Sequence, residues 1–246
     1  MHKLYDFMEA RERLGTVIVK TKLIHSPVFS EESGNEVYLK PENLQKTGSF
    51  KIRGAYNKIA KLSDEEKKKG VIASSAGNHA QGVAYAAKKL GIKAVIVMPQ
   101  HTPLIKVEAT RRYGAEVVLH GEVYDDAYKK ALELQKENGY IFVHPFNDEE
   151  VLEGQGTIAL EILDELPNAD IILVPLGGGG LVSGIACAAK LKNPQIKVIG
   201  VEPEGAASAL AALQKGEVVE LKEANTIADG TAVKRIGEIN FEYIKK

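Results

Sequence analysis

The 246-residue sequence predicts an α/β fold with parallel sheets, because short apolar runs alternate with amphipathic runs from Glu36 onward. Most of the apolar runs are bounded by Gly or Pro and have the length of β-strands. The runs between them place apolar residues at the i, i+3, i+4 and i+7 positions of a helix. Strands that alternate with helices of this length predict right-handed βαβ units, and therefore parallel sheets.

Seven strands are predicted along the chain. They are EVYLK, GVIASS, KAVIVMP, AEVVLHG, YIFVHP, DIILVPLG and KVIGVEP, in chain order. Helical spacing is clearest in two segments. It is shown by Ala80, Val83, Ala84 and Ala87 in the first and by Val123, Ala127, Ala131 and Leu134 in the second. Because ligands of open parallel sheets bind beyond the carboxyl ends of the strands, a site is expected in the loops that follow them.

Composition and charge exclude several classes of function. The 32 Lys and Arg residues balance 33 Asp and Glu residues, and no basic patch is visible, so nucleic acid is not an expected partner. No apolar run approaches the roughly 20 residues of a membrane-spanning helix, and the charged N-terminus lacks a signal-peptide apolar region. A single cysteine, Cys187, excludes an internal disulfide. We therefore expect a cytoplasmic protein with no membrane partner.

The stretch VPLGGGGLVSG is the strongest signal of a binding site. Gly177, Gly178, Gly179 and Gly180 follow an apolar strand and precede a helix predicted to begin near Leu181. Backbone without Cβ atoms can approach a ligand closely, and a helix N-terminus adds partial positive charge, so phosphate is the expected ligand. The alternative is a flexible turn. A dinucleotide site or a P-loop fits less well, because the spacing is not G-x-G-x-x-G and no Lys-Ser or Lys-Thr pair follows.

The stretch ASSAGNHAQG also leaves a predicted strand and opens a helix. Ser74, Ser75, Asn78 and His79 lie at its turn. Taken alone, the turn is better interpreted as a helix cap, since Ser and Asn are good N-caps. It also offers backbone donors for a carboxylate and an amide that could bond a cofactor oxygen.

Lys51 lies at the start of another predicted helix, in the stretch SFKIRGAY. The positive end of the helix dipole, together with nearby Lys46 and Arg53, would favour the neutral form of its amine. A neutral lysine is a nucleophile that forms Schiff bases with carbonyl cofactors. Taken alone, Lys51 would be a solvated surface residue. Combined with a phosphate loop and an Asn-bearing turn, it predicts a pyridoxal phosphate site.

Six motifs in a fixed order carry a resemblance to a known family: KPENLQKTGSFKIRGA, SSAGNHAQGVA, EGQGT, VPLGGGGL, GVEP and ADGTAVK. The chain resembles the threonine/serine dehydratases, a group of fold-type-II pyridoxal phosphate enzymes that is related to serine racemase and cysteine synthase. The resemblance implies two open parallel-sheet α/β domains with pyridoxal 5'-phosphate in the cleft between them. The smaller domain would span residues 49–146, inserted between residues 1–48 and 147–246 of the larger one. It also implies a homodimer or homotetramer.

The resemblance assigns roles to individual residues. Lys51 would attach the cofactor, and Phe50 would pack against its ring. Asn78 would bond the ring's 3-hydroxyl group, and the backbone of Gly230 would run beside the ring. The phosphate loop would be formed by Gly177, Gly178, Gly179, Gly180 and Leu181. The turn that receives the substrate carboxylate would be formed by Ser75, Ala76, Gly77 and His79.

The implied reaction is β-elimination of L-threonine or L-serine, a small-molecule amino-acid substrate, to 2-oxobutanoate or pyruvate plus ammonia. Lys51 would take the Cα proton. One alternative is a chain that binds the cofactor weakly, or needs a partner segment, and is catalytically inactive. Another is a serine racemase or a β-replacement enzyme. Racemases of this group carry a second serine where this chain has Ala76, and a methyl group cannot relay a proton, so racemisation is the poorer hypothesis.

Two departures from the family pattern lead to further expectations. Family members often bind a metal through the Glu of the VEP strand and an Asp a few residues later. Here Glu202 is present but Ser208 stands at the second position, so we expect no strong divalent site. The family chain continues beyond FEYIKK with helices and a strand whose serine bonds the pyridine nitrogen. We therefore expect the larger domain to be incomplete at its C-terminus and to expose apolar surface.

Overall fold

The computed structural model describes residues 2–246, which contain eleven α-helices and eight β-strands. The first elements are α1 (Leu4–Leu14), β1 (Ile24–His25), α2 (Pro27–Ser33), β2 (Tyr38–Leu39), α3 (Lys51–Ala60), α4 (Asp64–Lys69), β3 (Val71–Ser74), α5 (Asn78–Leu90) and β4 (Ala94–Met98). The others are α6 (Leu104–Arg112), β5 (Glu116–Leu119), α7 (Tyr124–Asn138), β6 (Ile141–Phe142), α8 (Glu149–Glu165), β7 (Ile171–Pro175), α9 (Gly180–Lys192), β8 (Lys197–Val201), α10 (Ser208–Lys215) and α11 (Glu238–Ile244). None of these helices has both the length and the apolar character that a membrane crossing requires.

The strands form two parallel sheets and one antiparallel pair. The four-stranded sheet has the order β5-β4-β3-β6, and each of its pairs is parallel. Strands β7 and β8 also pair in parallel. The predicted parallel α/β architecture is therefore confirmed. The segment EVYLK is an exception, because only β2 is a strand and it pairs antiparallel with β1.

Buried apolar side chains form three clusters around these sheets. The first surrounds β7, α8 and α9 and includes Leu152 and Ile185. The second fills the space between β3, β4, α3 and α5, and the third lies on the other face of β3 and β4, under α7. Because helices cover both of their faces, β3 and β4 are buried at every position. The division into two domains, at residues 49 and 146, stays a prediction.

The predicted helices are present, with small shifts at their ends. Ala127 and Ala131 form the buried side of α7, but Val123 is its N-cap and is 57% exposed, so it lies outside the buried face. Helix α9 begins at Gly180, next to the predicted position. One face of the β7–β8 sheet is open, and Leu173 on it is 66% exposed. This is the kind of exposed apolar surface that the sequence led us to expect.

Candidate active site

Three helices begin at the residues that the sequence singles out. Helix α3 begins at Lys51, α5 begins at Asn78 directly after β3, and α9 begins at Gly180 directly after β7. Helices α3 and α5 can lie close together because Gly82 of α5 has no side chain. A Cβ atom there would lie 3.1 Å from the backbone carbon of Lys51. The sequence thus brings the start of α3 against the side of α5.

Lys51 is partly buried, and its amine is bonded to the protein. Its Nζ donates a hydrogen bond of 2.8 Å to the carbonyl oxygen of Pro145 and lies 5.3 Å from the centre of the Phe50 ring. Burial lowers the pKa of Lys51 to about 8. The predicted direction is therefore confirmed, and Lys51 is not the fully solvated residue that its position taken alone would suggest. The cause is loss of solvation rather than repulsion by neighbouring cations.

Arg53 does not contribute to this effect because its charge is matched by carboxylates. Its side chain is completely buried and bonds Glu42 at 2.8 Å and Glu161 at 2.7 Å. Its Nη1 also donates to the Thr157 hydroxyl at 3.1 Å. Lys40 bonds the same Glu161 carboxylate at 2.7 Å. This cluster, which we call the Arg53 cluster, joins the N-terminal segment to α3 and α8.

The turn between β3 and α5 is partly open to a ligand. Asn78 is exposed, and no atom of residues 2–246 lies within 4 Å of the position that a Cβ would take at Gly77. The Ser75 hydroxyl accepts a hydrogen bond from the Gly77 N–H at 3.2 Å. Ala76 is partly buried against the second apolar cluster. The structure therefore leaves room beside this turn and gives it a hydroxyl and an amide at its surface.

His79 is only 3% exposed, and its ring is already committed to the protein. Its Nε2 lies 2.8 Å from the carbonyl oxygen of Val143, which can only accept, so Nε2 carries the proton. Its Nδ1 is buried and has no partner among residues 2–246. Burial, and then the charge of Lys51, lower the pKa of His79 to about 3. The ring is therefore neutral near pH 7, and its bonded N–H is not free to bind a carboxylate.

The segment His144–Asn147, which follows β6, was not assigned to the site from the sequence. The Nδ1 of His144 accepts hydrogen bonds from the N–H groups of Phe146 and Asn147, at 3.2 and 2.8 Å. Burial, and then the charge of Lys51, lower the pKa of His144 to about 4. The only signal in the sequence was the position of this segment at the end of a predicted strand. Through Pro145 it provides the hydrogen-bond acceptor of the Lys51 amine.

The glycine loop, residues 177–180, is packed so closely that side chains would not fit at several of its positions. A Cβ at Gly178 would lie 2.3 Å from the Phe146 ring, and a Cβ at Gly180 would lie 2.9 Å from the carbonyl oxygen of Phe146. Gly179 has a φ of +94°, which favours glycine. Within the described chain, the N–H groups from Gly178 to Leu181 donate to no protein acceptor. A loop of free donors at a helix N-terminus suits a phosphate group.

Gly230 lies in a short 3-10 turn, Asp229–Thr231, and is exposed. Its neighbour Thr231 touches the glycine loop, since a Cβ at Gly177 would lie 3.1 Å from the Cα of Thr231. In the part of the chain that the structure describes, no atom lies within 4 Å of the position that a Cβ would take at Gly230. The Gly230 backbone therefore lies next to the loop with open space beside it.

Glu202 has a structural partner of its own. Its carboxylate accepts hydrogen bonds from the N–H groups of Ala209 and Leu210 at 2.8 and 2.9 Å, and so it caps the first turn of α10. Ser208 is completely buried. These contacts give the Glu202 carboxylate a structural role at the start of α10.

Taken together, the residues fit pyridoxal phosphate: a partly buried amine of lowered pKa, a glycine loop of free N–H donors, and an amide at the start of a third helix. The sequence matches the family described as "Pyridoxal-phosphate dependent enzyme" over residues 15–246. The chain therefore belongs to this family.

Individual relatives agree with this assignment. The chain is 54% identical to the L-threonine ammonia-lyase of Thermotoga maritima over 246 residues, which is 100% of this chain and 61% of that protein. It thus spans less than two thirds of that relative. The processed form of threonine deaminase isoform 2 from Solanum lycopersicum superposes with a TM-score of 0.95 at 43% identity, covering 98% of this chain and 71% of that chain. Maize serine racemase superposes with a TM-score of 0.96 at 37% identity, covering 99% of this chain and 74% of the racemase.

Proposed function

We propose that this chain performs pyridoxal phosphate-dependent β-elimination of L-threonine, and of L-serine, to 2-oxobutanoate or pyruvate plus ammonia. One observation carries the proposal: the Lys51 amine is held out of solvent, has a pKa of about 8 and, among residues 2–246, is hydrogen-bonded only to a backbone carbonyl. The L-threonine ammonia-lyase and threonine deaminase to which the chain is similar support the choice of reaction. We further propose a cytoplasmic homo-oligomer with the cofactor between residues 49–146 and the rest of the chain.

Five parts of the chain would hold the cofactor. The free N–H groups from Gly178 to Leu181 would bind the phosphate group. Lys51 would attach the cofactor covalently, Phe50 would pack on its ring, Asn78 would bond its 3-hydroxyl group and Gly230 would lie along its edge. Pyridoxal phosphate, when bound, supplies an electron-withdrawing ring that stabilises negative charge at the substrate Cα.

The chain's own residues would bind the substrate and move its proton. Lys51 is the base that takes the Cα proton, since a pKa of about 8 gives a substantial neutral fraction near physiological pH. The substrate carboxylate would bind at the turn Ser75–His79, where the positive end of the α5 dipole favours an anion. Because the His79 ring donates to Val143, we assign its contribution to its backbone N–H.

The proposal is tested by adding pyridoxal phosphate to the purified chain and recording its visible absorption before and after L-threonine. We expect a Lys51-dependent absorption band, a change in that band on adding threonine, and accumulation of 2-oxobutanoate and ammonia. Lys51→Ala should abolish all three. Lys46→Ala is the matched control, because Lys46 is exposed and, among residues 2–246, its side-chain amine bonds only the Thr16 carbonyl. A band without product would indicate a cofactor-binding chain that does not catalyse, and no band would refute the proposal.

Racemisation is the second candidate, because the chain superposes well on maize serine racemase. Ala76 argues against it, since a methyl group at this turn cannot carry a proton to or from the substrate. Formation of D-serine from L-serine without an equivalent amount of ammonia would favour racemisation over elimination. The same incubation, assayed for both products, distinguishes the two reactions.

A further inference from the structure

The side chain of Asn240, on α11, connects two parts of the candidate site. It is completely buried, and its Nδ2 donates hydrogen bonds to the carbonyl oxygens of Gly178 and Phe146, at 2.8 and 3.0 Å. Its Cβ would lie 2.8 Å from a Cβ at Gly179, so it packs directly against the glycine loop. The Gly178 carbonyl accepts a second hydrogen bond, of 3.1 Å, from the Gly237 N–H.

Two donors on the same carbonyl fix the orientation of the peptide group between Gly178 and Gly179. In a planar trans peptide the C=O and the following N–H point in opposite directions. Because the Gly178 oxygen is held toward Asn240, the Gly179 N–H must point to the other side of the loop. Glycine residues leave this peptide group free to rotate unless something holds it. The Asn240 amide is the only side chain of residues 2–246 that donates to the loop carbonyl.

We propose that Asn240 is a positioning residue, which orients the glycine loop so that its N–H groups face a phosphate. The proposal rests on the proposed function, because it takes the loop to be the phosphate site. Asn240 touches neither Lys51 nor the turn before α5 in any hydrogen bond of the described chain. Its effect should therefore depend on the phosphate group and not on the carbonyl group that reacts with lysine.

Asn147 provides a matched control. It belongs to the same segment as Phe146, and it also makes two hydrogen bonds to α11: its Oδ1 accepts from the Ile239 N–H and its Nδ2 donates to Glu238, each at 3.0 Å. It makes no hydrogen bond to the glycine loop within residues 2–246. Asn147→Ala and Asn240→Ala therefore loosen the same packing of α11, but only Asn240→Ala removes one of the two donors to the loop carbonyl.

The first measurement is the affinity of each variant for pyridoxal phosphate and for pyridoxal, which lacks the phosphate. We expect Asn240→Ala to weaken pyridoxal phosphate binding about tenfold, as for the loss of a buried hydrogen bond, and to change pyridoxal binding little. Asn147→Ala should change neither. An equal loss for both ligands in the Asn240 variant, or an equal loss in both variants, would show a merely structural role and overturn the proposal.

The second measurement needs no cofactor: amide hydrogen exchange of the Ser183 N–H, which donates to the loop carbonyl of Gly179 at 2.9 Å and therefore exchanges when the loop opens. Asn240→Ala should accelerate exchange there and Asn147→Ala should not. The exchange measurement tests the role of Asn240 independently of cofactor binding. If the unmodified chain fails to bind pyridoxal phosphate, the proposed function is refuted, but the exchange rates still show whether Asn240 holds the loop. If the alanine variant is too unstable to purify, Asn240→Ser, which keeps a shorter hydroxyl donor on the same Cβ, should show the same pattern with a smaller change. Unchanged exchange in a folded Asn240 variant would contradict the proposal.

Discussion

Replacing Arg53 by methionine should destabilise the protein strongly, because the Arg53 cluster is almost free of solvent. The Arg53 side chain is 0% exposed and that of Glu161 is 3% exposed, and the two are joined by two hydrogen bonds of 2.7 and 2.9 Å. Methionine keeps much of the volume but leaves the Glu161 carboxylate with Lys40 as its remaining cationic partner in the described chain. Removing one partner of a buried ion pair costs roughly 3–5 kcal/mol, so the free energy of unfolding should fall by about that amount.

The assay is urea unfolding of the cofactor-free chain at pH 7, followed by far-ultraviolet circular dichroism. Arg11→Met is the control, since the Arg11–Asp164 pair has a similar distance of 2.8 Å but each side chain is 39% exposed. Its loss should cost less than about 1 kcal/mol. The double variant Arg53→Met with Glu161→Gln should recover part of the loss, because it removes the charge left without its main partner. If Arg53→Met costs no more than Arg11→Met, the assignment of a buried, strongly coupled cluster is wrong.

Three further predictions concern pH, packing and capping. The folded-state pKa values of His79 and His144, about 3 and about 4, lie below the unfolded value of about 6.5, so the unfolded chain binds more protons between these limits. The free energy of unfolding should therefore fall as the pH decreases from 6.5 to 4, by up to about 1.4 kcal/mol per pH unit for each histidine. In urea unfolding at several pH values, a His144→Asn variant should show a weaker dependence of this free energy on pH. An unchanged dependence would contradict the prediction. Gly178→Ala places a Cβ 2.3 Å from the Phe146 ring, so it should lower the free energy of unfolding by about 1–3 kcal/mol. It should also weaken pyridoxal phosphate binding, measured by absorbance titration. Unchanged stability and binding would show that the loop is not closely packed. Glu202→Ala should lower the free energy of unfolding by roughly 1 kcal/mol, seen as a lower melting temperature, because α10 loses its cap. Cofactor affinity should not change. A large loss of affinity would show that Glu202 does more than cap a helix.

The sheet architecture was predictable because its determinants are local in the sequence. Strands β3, β4 and β7 are apolar runs that end at, or are followed by, Ser or Pro, and α5 and α7 carry apolar residues at helical spacing. The pair β1–β2 was not predictable in the same way. Two residues per strand are too few for a periodic signal. The two strands pair antiparallel, with α2 in the connection between them.

The candidate site was only partly predictable, because some of its residues are placed by contacts across the chain. Lys51 and the glycine loop could be found from the sequence, since each begins a helix after a recognisable motif. Pro145 and Asn240 could not be found. Pro145 acts through its backbone carbonyl, 94 residues from the lysine that it bonds, and any residue type has such a carbonyl. Asn240 lies in an ordinary amphipathic helix, and nothing in that helix indicates that its amide reaches a loop 62 residues earlier.

The sequence predicted that the pKa of Lys51 is lowered, but it did not indicate the main cause. The sequence indicated cationic neighbours, but Arg53 is neutralised by Glu42 and Glu161. Burial produces the shift, and it depends on α5 and the His144–Asn147 segment closing around the amine. The same burial keeps His79 and His144 uncharged near pH 7. Backbone N–H groups at helix N-termini then supply most of the positive potential near the amine that does not change with pH, because these groups do not titrate. A site built in this way can hold an anion over a wide pH range while the reactivity of its lysine still follows the pH.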